Sequence, residues 1–211
     1  MSISREIWLA LTIIAGLALL IHYYFGLVWA IPLWLLFIIL AYIFRDPKRT
    51  IPSAPLAVVA PADGALTGID LVPNPFIEGD FIRMRIAMSK SGAFRIRSPI
   101  EGKVQKRWFL LPGDPQPVLQ GPNVRLSIGN WVQTDEGEDV VFSLQCDNQW
   151  FKPQCNIQAG ERIGQGQRCG FIPFGSTVDV YLPENSSIKV DVGTKLKSGS
   201  DVLAHLRHDQ A

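Results

Sequence analysis

The stretch Ile157-Gln-Ala-Gly160-Glu-Arg-Ile163-Gly-Gln-Gly166-Gln decides how this chain folds, because it occurs twice. Thirty-three residues later the pattern returns as Val190-Asp-Val-Gly193-Thr-Lys-Leu196-Lys-Ser-Gly199-Ser, with both glycines and both aliphatics in register. A second pair, Pro61-Ala-Asp-Gly64-Ala-Leu66 and Pro99-Ile-Glu-Gly102-Lys-Val104, repeats at an offset of 38. Each unit reads as a strand, a glycine turn and a second strand, so the chain carries internal two-fold repetition of β structure. Around the repeats stand further short β-type runs: Phe81 to Met88, Gly102 to Leu110, Val124 to Ile128, Asp139 to Gln145, Thr177 to Leu182 and Ser187 to Val192. Pro and Gly recur between them, and no long helical period appears in residues 46 to 211.

The aliphatic-x-x-Gly-x-x-aliphatic-x-x-Gly unit resembles the hairpin of lipoyl and biotinyl carrier domains. That resemblance implies a mostly β, barrel-sandwich hybrid fold with quasi-two-fold symmetry. The carrier role is not supported, since no turn presents a Lys flanked by small or Met residues.

The N-terminal part has another composition. Of 211 residues, 47% are hydrophobic and only 18% charged, against a usual charged fraction of about 25%. The excess is concentrated in 38 residues from Ile7 to Phe44 that contain no Asp, Glu, Lys or Arg. One helix of that length would run to roughly 57 Å, too long for a hydrocarbon core of about 30 Å. Two spans fit, Ile7 to Phe25 and Leu27 to Phe44, with a break at Gly26. Trp8, Tyr23, Tyr24, Trp29 and Tyr42 fall near their ends, as interfacial aromatics do. Arg5 precedes the pair and Arg45, Lys48 and Arg49 follow it, while the turn has no cation. The positive-inside rule then places both ends in the cytoplasm. The expected organisation is a two-helix transmembrane hairpin over residues 1–45 and a β-rich domain over 46–211, anchored in the inner (plasma) membrane on the cytoplasmic side.

A net charge of +1 excludes a nucleic-acid partner bound by bulk charge. Cys146, Cys155 and Cys169 are odd in number and lack a C-x-x-C spacing, which argues against a disulfide framework and a structural metal site.

Three strings carry chemistry. They are Phe44-Arg-Asp-Pro-Lys-Arg49 with Pro61-Ala-Asp-Gly64, then Met88-Ser-Lys-Ser-Gly-Ala-Phe94 leading to Arg97-Ser-Pro99, then Phe174-Gly-Ser-Thr-Val-Asp-Val-Tyr-Leu-Pro183. In combination they resemble the phosphatidylserine decarboxylase family, in particular its short bacterial and archaeal branch, from about Tyr42 to Leu206. The resemblance implies a membrane-attached proenzyme that cuts itself between Gly175 and Ser176. Ser176 would become a pyruvoyl group, with the cleaved fragment retained as a second subunit. The substrate would be phosphatidylserine or a related serine phospholipid, and the products phosphatidylethanolamine and carbon dioxide. Asp63 would assist the cut. A ketone beside an amide carbonyl can form a Schiff base with the substrate amine and act as an electron sink after carbon dioxide departs. Arg97 is a candidate for the substrate phosphate, which a guanidinium fork suits, and equally for an ion-paired strand arginine. Asp179 reads as a surface strand residue and Tyr181 as a core one.

The sequence departs from the family at one place. The family's M-S-P-x-D-x-H segment has its His replaced here by Phe94 and its Asp by Gly92. The histidines are His22, in the membrane segment, and His205 and His208, which read as belonging to a C-terminal tail. Arg97, Lys90, Tyr181 or water would have to protonate the carbanion. The alternative is an impaired homologue acting as a non-enzymatic lipid-binding or regulatory membrane protein. A homo-oligomer is left open.

Overall fold

The computed structural model describes residues 2–3, 8–43, 45–46, 49–52, 54–89, 93–110, 126–146, 153–172 and 176–207. Two compact units divide the chain, Met1–Lys48 and Arg49–Ala211.

The first unit holds helices α1 (Trp8–Phe25) and α2 (Leu27–Ile43), with short strands β1 (Ser2–Ile3) and β2 (Arg45–Asp46) paired antiparallel. Gly26 separates the helices with φ of 85°, and its N–H closes α1 on the His22 carbonyl at 3.1 Å. A glycine is the natural stop there, since that φ strains any other residue. The helices fall where the spans are expected. By length and composition α1 can cross a membrane, whereas α2 has 17 residues. Leu9, Ile13, Leu19, Val28 and Ile38 are exposed, so the apolar surface is not consumed by packing within the unit.

The second unit is mostly β. Its strands are β3 (Ala57–Val59), β4 (Gly64–Pro73), β5 (Asp80–Met88), β6 (Arg95–Arg97), β7 (Gly102–Leu110), β8 (Leu126–Gln133) and β9 (Asp139–Cys146). They continue as β10 (Gln154–Cys155), β11 (Arg162–Ile163), β12 (Arg168–Phe171), β13 (Ser176–Pro183), β14 (Ser187–Ile188), β15 (Lys195–Leu196) and β16 (Val202–His205). A curled eight-stranded sheet runs β11-β7-β8-β9-β13-β5-β4-β15, and two three-stranded sheets run β10-β12-β6 and β14-β16-β3. One core joins all three, with Val58, Leu66, Ile86, Ile96, Phe142, Val178 and Leu203 each fully buried. Each such side chain contributes about 1.5–3 kcal/mol.

The sequence repeat becomes a register repeat. Leu196 pairs with Gly64 and Lys195 with Ala65, as Ile163 pairs with Gly102 and Arg162 with Lys103. The bulge after Leu66 in β4 has its counterpart after Val104 in β7. Gly193 donates to the Leu66 carbonyl as Gly160 donates to that of Val104. The quasi-two-fold relation passes between β9 and β13, and the two three-stranded sheets exchange under it.

Gly64 and Gly102 are glycines for one reason. A Cβ at Gly64 would collide with the Ala87 carbonyl oxygen, and one at Gly102 with that of Gln133. Backbone cannot step aside as a flexible side chain can. Gly102→Ala is therefore expected to cost about 3 kcal/mol, at the upper end of overpacking effects, read as a lowered thermal unfolding midpoint.

Two β runs differ from expectation. The Ser187 to Val192 run is strand only over Ser187–Ile188, because the chain then turns toward Gly193, whose φ is 93°. The Val124 to Ile128 run is strand from Leu126 onward and continues to Gln133; Val124 lies outside the described residues.

Candidate active site

Asp63 stands at the junction of β3 and β4, before the close-packed Gly64. Its carboxylate collects three donors from distant parts of the chain. Arg49 Nη2 donates to Oδ2 at 2.7 Å, the Ala93 N–H to Oδ2 at 3.2 Å, and the Ser198 N–H to Oδ1 at 2.7 Å. The Ser89 N–H donates to the Asp63 backbone carbonyl at 2.9 Å, and Ser198 Oγ donates to the Pro61 carbonyl at 2.9 Å. A carboxylate offers about four lone-pair positions. Three are taken by described residues, so the second position on Oδ1 is the one left by this set. Asp63 is 8% exposed, which makes these bonds strong and their loss costly.

Ser176 is the first residue of β13, and Gly175 lies outside the described residues. The backbone of Ser176 pairs with Cys146 of β9. On the other side Thr177 pairs with Ala87 of β5, which pairs with Ala65 of β4. The next row therefore runs from Ser176 past Met88 to Gly64. Two steps at about 4.8 Å per strand put the Ser176 and Gly64 backbones roughly 10 Å apart. The sheet thus sets Ser176 and Asp63 at the same end of two strands that flank β5.

Phe94 is the residue that the sequence resemblance sets against a His. It is 3% exposed and packs edge-on against Phe171, with ring centroids 6.4 Å apart. Its carbonyl accepts the Ile172 N–H at 2.9 Å, four residues before Ser176. An apolar ring therefore fills the space beside Ala93, whose N–H holds Asp63. Of the histidines, His205 lies in β16, paired with Ala57 and Ser187, rather than in a tail; His208 lies outside the described residues.

Arg97 is 6% exposed. Its N–H donates to the Pro61 carbonyl and its Nη1 to the Gly166 carbonyl, both at 2.9 Å. A Cβ at Gly199 would lie 2.6 Å from its Cδ. The guanidinium is thus seated between the two repeated glycine turns. All three cysteines are buried free thiols. The hydrogen bond with Cys169 draws the Cys155 thiol down to about 7, against the opposing effect of burial, and holds Cys169 well above the ordinary thiol range.

Sequence reading missed two features. Arg49 belongs to a quoted string, yet nothing local shows that it reaches Asp63. Asp179 is 0% exposed rather than on the surface. It accepts Arg85 Nε and Nη2 at 2.9 Å each and Gln145 Nε2 at 2.9 Å. Val178 and Val180 on either side of it enter the main core, so Asp179 faces the other side of the sheet, where cross-strand Arg85 meets it. Tyr181 is buried as expected, and burial with the nearby Asp179 charge raises its phenol. Arg85→Met leaves the Asp179 carboxylate buried without its cation, at an expected cost of about 3–5 kcal/mol. Combining it with Asp179→Leu should recover most of that loss in the unfolding midpoint.

Comparison with known proteins settles the family. The phosphatidylserine decarboxylase family model matches residues 36–204. The chain is 35% identical to the phosphatidylserine decarboxylase proenzyme of Nitrosomonas eutropha, over 97% of this chain and 95% of that protein. It is 34% identical to that of Nitrosomonas europaea (96% and 94%) and 36% identical to that of Burkholderia ambifaria (97% and 96%). This chain belongs to the phosphatidylserine decarboxylase family. No solved structure matches it. Members of the phosphatidylserine decarboxylase family are carboxy-lyases, and the Asp63 cluster sits within the matched region.

Proposed function

We propose that this chain is a membrane-anchored, pyruvoyl-dependent decarboxylase of a serine phospholipid. It would release carbon dioxide and leave phosphatidylethanolamine, after self-cleavage between Gly175 and Ser176. The carrying observation is the Asp63 carboxylate, fixed by Arg49, Ala93 and Ser198 at the end of the sheet where Ser176 begins β13.

In the cut, the Ser176 hydroxyl attacks the Gly175 carbonyl carbon, and the peptide C–N bond gives way to an ester. Asp63 Oδ1 is the acceptor for the hydroxyl proton. Elimination then frees the Gly175 carboxylate, and the Ser176 nitrogen leaves as ammonia when water adds. The pyruvoyl group supplies an electron sink for decarboxylation. The chain around it holds the new end still: β13 keeps ladders with both β5 and β9, which stay on the larger fragment. Arg97 supplies a rigid, buried cation for the headgroup phosphate. The apolar helices keep the β domain at the bilayer that contains the substrate, with flanking cations assigning it to the cytoplasmic face.

Phe94 favours a second reading, an impaired homologue that binds lipid without turning it over. The full chain in phosphatidylserine vesicles separates the two. Carbon dioxide release with phosphatidylethanolamine formation is expected; binding with no release contradicts the enzyme.

A further inference from the structure

We propose that Arg49 is a positioning residue for self-cleavage, holding the Asp63 carboxylate so that Oδ1 keeps one lone pair for the Ser176 proton. The inference rests on the reading of Asp63 as the base.

The contact is short, 2.7 Å, and both side chains are mostly removed from water, at 18% and 11% exposure. Charge-assisted bonds of this kind are about twice as strong as neutral ones. By occupying Oδ2 together with the Ala93 N–H, the guanidinium fixes the rotation of the carboxylate and leaves Oδ1 to Ser198 and to one further partner.

The fold contains its own control. The offset of 38 that relates Gly64 to Gly102 relates Asp63 to Glu101. The two halves build the same turn, the same strand pairing and the same bulge. Glu101 is nevertheless exposed and has no hydrogen bond to a described residue. The clasp is therefore not a by-product of the repeated architecture; among the described residues it is present only in the half whose carboxylate lies at the end of the sheet where β13 begins. Arg49 is also the first residue of the second unit, supplied from outside the repeats. The charged groups on the segments around Asp63 are Arg95 and Arg97 beyond Ala93, and Lys195, Lys197 and Asp201 around Ser198. The Lys197 N–H is committed to Asp201 at 2.8 Å, and among these residues only Arg49 is hydrogen-bonded to the Asp63 carboxylate through a side chain.

The test follows formation of the 176–211 fragment, read as its release on a denaturing gel, from the full chain synthesised into phospholipid vesicles. Arg49→Gln should slow release about 10–100-fold, the scale of a misplaced catalytic group. Arg49→Lys, which keeps a charge but not the fork, should fall between Gln and the parent. Adding Asp63→Asn to Arg49→Gln should slow it no further than Asp63→Asn alone. Arg49→Gln at the parent rate, while Asp63→Asn is blocked, overturns the Arg49 role and leaves the Asp63 reading standing. Arg49→Lys as slow as Gln, with additive effects of the double change, also overturns it by showing a purely structural loss. If Arg49→Gln does not accumulate folded, Arg49→Lys decides: slower than parent supports the role, and the parent rate overturns it. A parent chain that releases no fragment, or Asp63→Asn at the parent rate, removes the Asp63 reading and this proposal together.

Discussion

Phe94→His is expected to raise the rate of carbon dioxide release from phosphatidylserine vesicles by about 10²-fold or more. A positioned general acid contributes roughly 10²–10⁴ in rate. Phe94 is the residue that the sequence resemblance sets against an imidazole, one residue from the Ala93 N–H that binds Asp63 and against Phe171 of β12. At 3% exposure, an imidazole there would be largely dry. Burying its polar atoms costs about 1–3 kcal/mol of stability, so the variant should be faster and less stable together. Among the residues that could protonate the carbanion in place of His, Tyr181 is excluded by position. It lies five residues along β13 from Ser176, about 17 Å at strand rise, packed with Phe81 and Val141 on the opposite face from the main core. Arg97 and water remain; Lys90 lies outside the described residues. An unchanged or lower rate in Phe94→His, with the unfolding midpoint retained, would show that protonation does not limit this enzyme.

Ser176→Ala should abolish both cleavage and decarboxylation, leaving one chain of 23.4 kDa. The methyl group has no nucleophile for the Gly175 carbonyl and no oxygen to become a ketone. The fold should survive, because the ladder between Ser176 and Cys146 is made by backbone atoms, which the change leaves in place. The unfolding midpoint of the variant should therefore stay near that of the uncleaved parent. Cleavage that persists in Ser176→Ala would move the reactive bond elsewhere.

The architecture was legible because it is written twice. A turn at Gly160 and Gly193, and a close approach at Gly64 and Gly102, each force glycine at one offset, and the aliphatics beside them fill one core. The helical pair was legible from uninterrupted apolarity and one glycine. Strand β4 was not among the runs read from the sequence; a bulge lies before its Gly68, and Pro73 is its last residue. The site was half legible. Asp63 and Ser176 sit in local strings, whereas the partners of the Asp63 carboxylate come from 14, 30 and 135 residues away. Backbone donors at Ala93 and Ser198 leave no trace in side-chain identity, and only the closed sheet brings them to one carboxylate.

The most direct measurement is the intact mass of the full chain purified from membranes. Two fragments are expected, residues 1–175 and residues 176–211, with the smaller lighter by one ammonia than the serine-started peptide and blocked to amino-terminal sequencing. A single chain of 23.4 kDa, or a small fragment that begins with unaltered serine, would contradict a self-cleaving, pyruvoyl-dependent enzyme.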